Sequence, residues 1–161
     1  MYVARVELSG FDELPDPVKC GLILRTVWWL VEIDRAELRH ARPRVPPVYT
    51  LGHLAYHYQD AAADTWLDVA RVLEVGGGSC NSLAAWRVAE LREAGEDARP
   101  YVRTQTVHQR DGSLLDVFHI IVRRPLPPPH RWEDPSVGLG MPGPAQAPTP
   151  SDLHAAGLVL R

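Results

Sequence analysis

Residues 76–91 read GGGSCNSLAAWRVAEL: three glycines and a serine run into Cys80, and an apolar helical repeat starts on that cysteine. A helix N-terminus presents unpaired N–H groups and a partial positive charge, and both favour an anion. A thiolate is the anion a cysteine can become, and a thiol's ordinary pKa of about 8.5 falls in such places. The glycines allow close backbone approach, so a substrate can reach the sulfur. The N–H of Cys80 itself can help hold a developing oxyanion. A thiolate nucleophile needs a base and a group that orients the base. His119 follows in DVFHIIV, and Asp134 follows in RWEDPS. A carboxylate on the far imidazole nitrogen fixes the tautomer and favours the imidazolium. The expectation is that Cys80, His119 and Asp134 lie within hydrogen-bonding range in that order.

The elements that must position these groups can be read from pattern. SCNSLAAWRVAELREAG is the clearest helix, with Leu83, Trp86, Val88, Ala89 and Leu91 at helical spacing and Gly95 as its C-cap. ARPYVRTQTVHQ and LLDVFHIIVRR read as strands joined by the turn RDGS, a hairpin signal. Alternation puts His119 and Ile121 on one face of the second strand, with Phe118 and Ile120 on the other. A short third strand is expected near RWEDP. Upstream, YVARVEL (2–8) alternates as an edge strand, and residues 16–41 form a long helix started by Asp16 and Pro17 and ended before Pro43. That helix has only a narrow polar stripe, so it should be mostly buried, with Trp28 and Trp29 in the core. RPRVPPVYTLG is a loop, and TWLDVARVLEVGGGS holds one or two helical turns before the glycines. Residues 125–150 hold nine prolines, which argues against regular structure there. SDLHAAGLVL can add a last turn of helix. The expected class is α+β: a helix bearing the cysteine at its N-terminus, packed on a small antiparallel sheet. Residues 1–141 form one domain, and 142–161 form a proline-rich tail.

Bulk properties narrow the function. The chain has 161 residues, 45% apolar and 23% charged, with a net charge of −3. These values give no reason to expect nucleic-acid or membrane partners. The two cysteines, Cys20 and Cys80, do not make a disulfide framework, so a reducing compartment is the default. The start MYVARVELSGFDEL has no basic stretch followed by an apolar run, and the most apolar segment, 18–33, is interrupted by Lys19, Arg25 and Glu32. A cytoplasmic protein without a secretory leader or membrane span is expected.

Three blocks carry a family resemblance: GGGSCNSLAAWRVAELREAGEDARPYV, DVFHIIV and RWEDPSVGLGM, which together occupy roughly residues 76–141. In order and spacing they resemble the transglutaminase-like superfamily of papain-fold cysteine enzymes. The resemblance implies Cys80 as nucleophile, His119 as general base and acid, and Asp134 as the orienting carboxylate. It implies a papain-like core and no cofactor. The implied reaction is thiolate attack on an amide carbonyl of a peptide or protein substrate. A thioester forms, and water or an amine resolves it. The sequence departs from cross-linking members, many of which carry tryptophan where Asn81 stands. Ser79, Asn81 and Ser82 stand where many bacterial relatives have acidic residues, and no calcium loop is evident. Trp66 and Gln59 are the candidates for a second oxyanion donor.

Other readings stay open. The ending HIIVRR…EDPS…LGM is similar to proteins encoded among phage structural genes. This implies a non-enzymatic assembly protein within a phage particle, with the proline-rich tail ordering on a protein partner. Acyl transfer to a small amine, as in arylamine N-acetyltransferases, shares the Cys-His-Asp order. HLAYH puts His53 and His57 at i and i+4, with Asp60 and Asp64 nearby. On a helix such a pair could ligate a metal, but no glutamate stands between them as in HExxH. A partly solvated helix face, and no metal, is expected. Cys20 is expected to pack in the core.

Overall fold

The structure, a computed structural model, describes residues 13–41, 43–57, 65–108 and 114–141. The expected strand at 2–8, the RDGS turn and the whole 142–161 tail, with its SDLHAAGLVL segment, lie outside the described residues. The chain is mixed α+β. Its elements in order are α1 (Asp16–His40), a single 3-10 turn (Val48–Thr50), β1 (Ala55–Tyr56), α2 (Val69–Val75), β2 (Gly77–Gly78), α3 (Cys80–Glu93), β3 (Arg99–His108), β4 (Leu114–Arg123), β5 (Trp132–Glu133) and α4 (Pro135–Gly138).

Helix α3 is the centre of the molecule. From Asn81 to Ala89 every residue except Arg87 is buried. One side, through Ala84, Ala85, Val88, Ala89 and Leu91, packs with α1 and the sheet residues Val102, Ile120 and Val122. The other side, through Leu83 and Trp86, packs with Val48, Leu54, Val69 and Val72. The helix ends at Ala94, after which Gly95 N–H and Glu96 N–H return to the carbonyls of Arg92 and Leu91. That is the Schellman pattern, with the glycine one place beyond the cap.

Helix α1 differs from the expectation. Only Cys20, Val27, Leu30, Val31 and Asp34 are buried along its 25 residues, a single stripe at helical spacing. Trp28 is half-buried beneath the Arg92 guanidinium, 5.2 Å from its ring centre. Trp29 is 54% exposed, because one further residue turns the side chain by about 100° out of the docked stripe.

The three-stranded sheet has the order β3–β4–β5, antiparallel throughout. Tyr101 pairs with Ile121 and Arg103 with His119. Phe118, Ile120 and Val122 turn toward the helices, and His119 and Ile121 share the opposite face. The third strand expected near RWEDP is β5, and it lies within the proline-rich stretch. The helical turn α4 in the same stretch was not expected; it accepts Pro135 in its first turn, where no N–H is needed.

The glycine run has a packing reason. Gly76 closes α2 in the left-handed conformation, φ 77°. Gly77 lies so close to β1 that a Cβ there would sit 2.2 Å from the Ala55 carbonyl oxygen and 2.8 Å from the His57 ring. The parallel pair Ala55↔Gly77 and Tyr56↔Gly78 thus requires a residue without a side chain. This close passage fixes the chain two residues before Cys80.

Three carboxylates hold the start of α2. Asp34 Oδ1 accepts from Val69 N at 2.9 Å, Glu37 Oε2 from Ala70 N at 3.2 Å and Asp68 Oδ1 from Arg71 N at 2.9 Å. Two of the first N–H groups of α2, those of Val69 and Ala70, are therefore tied to α1, and the third is capped by Asp68 at the helix's own start. Asp34 is fully buried, and its Oδ2 has no partner among the described residues. Burial pushes its carboxyl well above the usual carboxylate range; the Val69 N–H offsets this only in part, and neighbouring Glu37 and Asp68 add to the rise. A carboxyl whose folded pKa is raised costs stability as pH climbs above the unfolded value near 4. Asp34→Asn keeps the acceptor and removes that cost. Urea denaturation of both forms should therefore show the variant gaining on the native chain between pH 4 and pH 7. A difference that does not grow with pH would contradict this account of Asp34.

Candidate active site

The site is built from the first residue of α3, the middle of β4 and the residue that follows β5. Cys80 opens α3 and is half-buried. Ser79, at the N-cap position, makes no cap bond, and its buried Oγ has no partner among the described residues. The partial positive charge at the start of α3 favours an anion at the cysteine. The Cys80 thiol donates weakly to Asn81 Oδ1, at 3.7 Å.

His119 Nε2 lies 2.8 Å from Asp134 Oδ2, with the two side chains only 15% and 12% exposed. The register explains the encounter. Val122 pairs with Glu133, so one further step places Asp134 opposite Ile121 on the face that His119 shares. Asp134 then becomes the diagonal neighbour of His119, within reach of two long side chains. The other carboxylate oxygen, Oδ1, accepts from Ser136 N at 3.1 Å and Val137 N at 3.3 Å, capping α4. Each oxygen has its own task, so the carboxylate cannot rotate without losing one of them.

Burial pulls the His119 imidazole toward its neutral form, but hydrogen bonds to Asp134 and to Cys80, together with the charges of both partners, outweigh it and raise the pKa from 6.5 to about 9. With Nε2 committed to Asp134, Nδ1 is the nitrogen left to face the thiol. The structure therefore brings Cys80, His119 and Asp134 together. Arg103 stands opposite His119 across the β3–β4 ladder, on the same face.

The secondary candidates divide. Trp66 is half-buried against the same apolar cluster as Cys80, and its neighbour Leu67 donates its N–H to Ser82 Oγ on α3 at 2.8 Å. Gln59 lies outside the described residues. The metal reading loses its premise. His53 lies in a turn and His57 just after β1, both exposed, so they do not share a helix face. Asp60 and Asp64 lie outside the described residues, and among those described no group of three or more His, Cys, Asp or Glu residues is placed to hold a metal. A shallow cavity of about 220 Å³ lies at the opposite end of α3, lined by Arg35, Arg92, Gly95, Glu96 and Asp97, and no site residue lines it.

Sequence reasoning missed Ser82, Arg87 and Glu133. Ser82 is fully buried, and a polar residue on the apolar face of a helix is a signal that it bonds to something nearby. Arg87 and Glu133 flank the site in sequence, but only the fold shows that they meet. No helix among the described residues is long and apolar enough to cross a membrane.

A histidine whose folded pKa is raised adds stability that is fully present below its unfolded pKa and lost as pH rises through the folded one. For His119 the window runs from pH 6.5 to about 9. At ~1.4 kcal/mol per unit the contribution is on the order of 3–4 kcal/mol. Asp134→Asn should remove most of the slope in unfolding free energy across this window. An unaltered slope above pH 6.5 would show that Asp134 does not hold the imidazolium.

The chain matches no protein-family model, no curated protein and no solved structure.

Proposed function

We propose that this chain is a cysteine-nucleophile amide hydrolase, a peptidase or amidase, built on a transglutaminase-like core. The observation that carries the reading is the imidazole of His119, held between the Asp134 carboxylate and the thiol at the start of a buried helix. A thiol, an imidazole and a carboxylate in that order form the general arrangement of an activated nucleophile.

The steps follow from the groups present. Proton transfer from Cys80 to His119 gives a thiolate and an imidazolium, the latter stabilised by Asp134. The sulfur attacks the amide carbon, and the carbonyl electron pair moves to oxygen. The N–H groups at the start of α3 stabilise that oxyanion, and Trp66 is the described candidate for a second donor. As the C–N bond breaks, the imidazolium gives its proton to the departing amine, and a thioester remains on Cys80. Water then attacks the thioester with His119 taking its proton, and the carboxylic acid leaves as the Cys80 thiolate returns. These steps use only protein groups and water. The alternative, an assembly protein, rests on the resemblance of the HIIVRR…EDPS…LGM ending to phage structural proteins, and the tail it would use, residues 142–161, lies outside the described residues.

Digestion of a mixed peptide library, followed by mass spectrometry, tests the reading. Cleavage is expected with the native chain and should fall by roughly 10³-fold or more in both Cys80→Ala and His119→Ala. Cleavage that persists in Cys80→Ala, or its absence across a broad library of peptides and simple amides, would sink the proposal.

A further inference from the structure

Asp134 reaches His119 only if β5 lies in the correct register, yet β5 is short. Two residue pairs hold it to β4, Val122↔Glu133 and Arg123↔Trp132. Something else must fix it, and the side chain next to Asp134 is placed to do so. By strand alternation Glu133 points away from the His119 face and toward the helices. There its carboxylate meets donors from three elements. Arg87 on α3 gives Nε to Oε1 and, at 3.5 Å, Nη2 to Oε2. Tyr49 donates its hydroxyl at 2.7 Å, and Arg124 donates Nη1 at 3.3 Å. The Arg87 and Glu133 side chains are each 18% exposed, so solvent screens the pair less than a surface ion pair.

Arg87 is itself held in place. Its Nη1 bonds Glu90 Oε2 at 3.1 Å, while Glu90 Oε1 accepts from Val48 N at 2.7 Å. Its guanidinium lies 5.2 Å from the centre of the Tyr49 ring. Arg87 also stands seven residues beyond Cys80 on α3, and seven residues bring an α-helix back to within about 20° of the same face. One face of α3 thus carries the nucleophile at its first residue and the anchor of β5 two turns on.

We infer that Arg87 and Glu133 are positioning residues whose ion pair sets the register of β5 against α3, and with it the placement of Asp134 and His119 relative to Cys80. The inference rests on the hydrolase reading above. It assigns the pair a role in the chemistry that mere support of the fold would not have.

Direct electrostatics and positioning predict opposite signs. Removing a nearby cation, acting only through space, would raise the His119 pKa. Loss of the β5 register would lower it, because the Asp134 carboxylate withdraws. The experiment is an ¹⁵N NMR titration of His119 in the native chain, in Arg87→Met, in Arg87→Gln and in the control Glu96→Gln. The spectra report only on folded molecules. Glu96 bonds Arg124 Nε and Nη2, both at 2.6 Å, so its variant loosens the same network without touching Arg87. The expected result is a fall of about one unit or more, tenfold in the proton equilibrium, in the Arg87 variants and no fall in Glu96→Gln. If Arg87→Met does not fold, Arg87→Gln decides. Failure of both to fold would overturn the inference in favour of a purely structural role. A value unchanged or raised in the folded Arg87 variants, or lowered equally in Glu96→Gln, would overturn the inference alone. A native His119 that titrates as an ordinary histidine would overturn this inference and the reading beneath it together.

Discussion

The rest of the structure depends on the burial of α3. A helix wrapped on nearly all sides must satisfy its polar groups from within the protein, because water cannot reach them. At its C-terminal end the Schellman turn through Gly95 does this with backbone alone. At its N-terminal end the N-cap Ser79 makes no side-chain bond. The partial positive charge of the helix end falls at Cys80. The helix is thereby both the hub of the core and the mount for a reactive group.

Everything near that mount serves to hold short segments that could not hold themselves. β2 is two glycines pressed against β1, and the approach is so close that no side chain fits at Gly77. α2 is seven residues, tied to α1 by Asp34 and Glu37 on two successive N–H groups and capped by its own Asp68 on the third. β5 is two residues, tied to α3 through Glu133 and Arg87. α4 is four residues, capped by the same Asp134 that bonds His119. Elements this short have little intrinsic stability. Side-chain bonds at their ends fix α2, β5 and α4, and a half-buried ion pair such as Arg87–Glu133 is expensive to break from one side. That expense makes the geometry around His119 well defined.

The elements with strong periodicity could be read from the sequence. The α3 repeat around Leu83, Trp86 and Val88 and the two long strands were visible because burial imposes a regular spacing on them. The Cys80–His119–Asp134 set was visible for a different reason: each residue stood at a recognisable boundary or within a strand whose alternation could be counted. What sequence reasoning missed depends on tertiary context. Trp29 carries as much apolar surface as Trp28, and only the angle at which α1 docks exposes it. The GGG run suggested access for a substrate, whereas the fold uses Gly76 to end a helix and Gly77 to let a strand pass. HLAYH had helical spacing, but the parallel pairing with Gly77 and Gly78 draws it into a strand. The Arg87–Glu133 contact joins residues 46 apart in sequence, and no local pattern announces such a contact.

The most direct test of the central claim, that Cys80 and His119 form a charged pair at the head of α3, is the rate of Cys80 alkylation by iodoacetamide from pH 4 to pH 9. Mass spectrometry separates its product from that of the buried Cys20. The account predicts fast labelling already below about pH 6, lost when His119 is replaced by alanine. Labelling that climbs only around the ordinary thiol pKa of about 8.5, equally in the native chain and in His119→Ala, would contradict it.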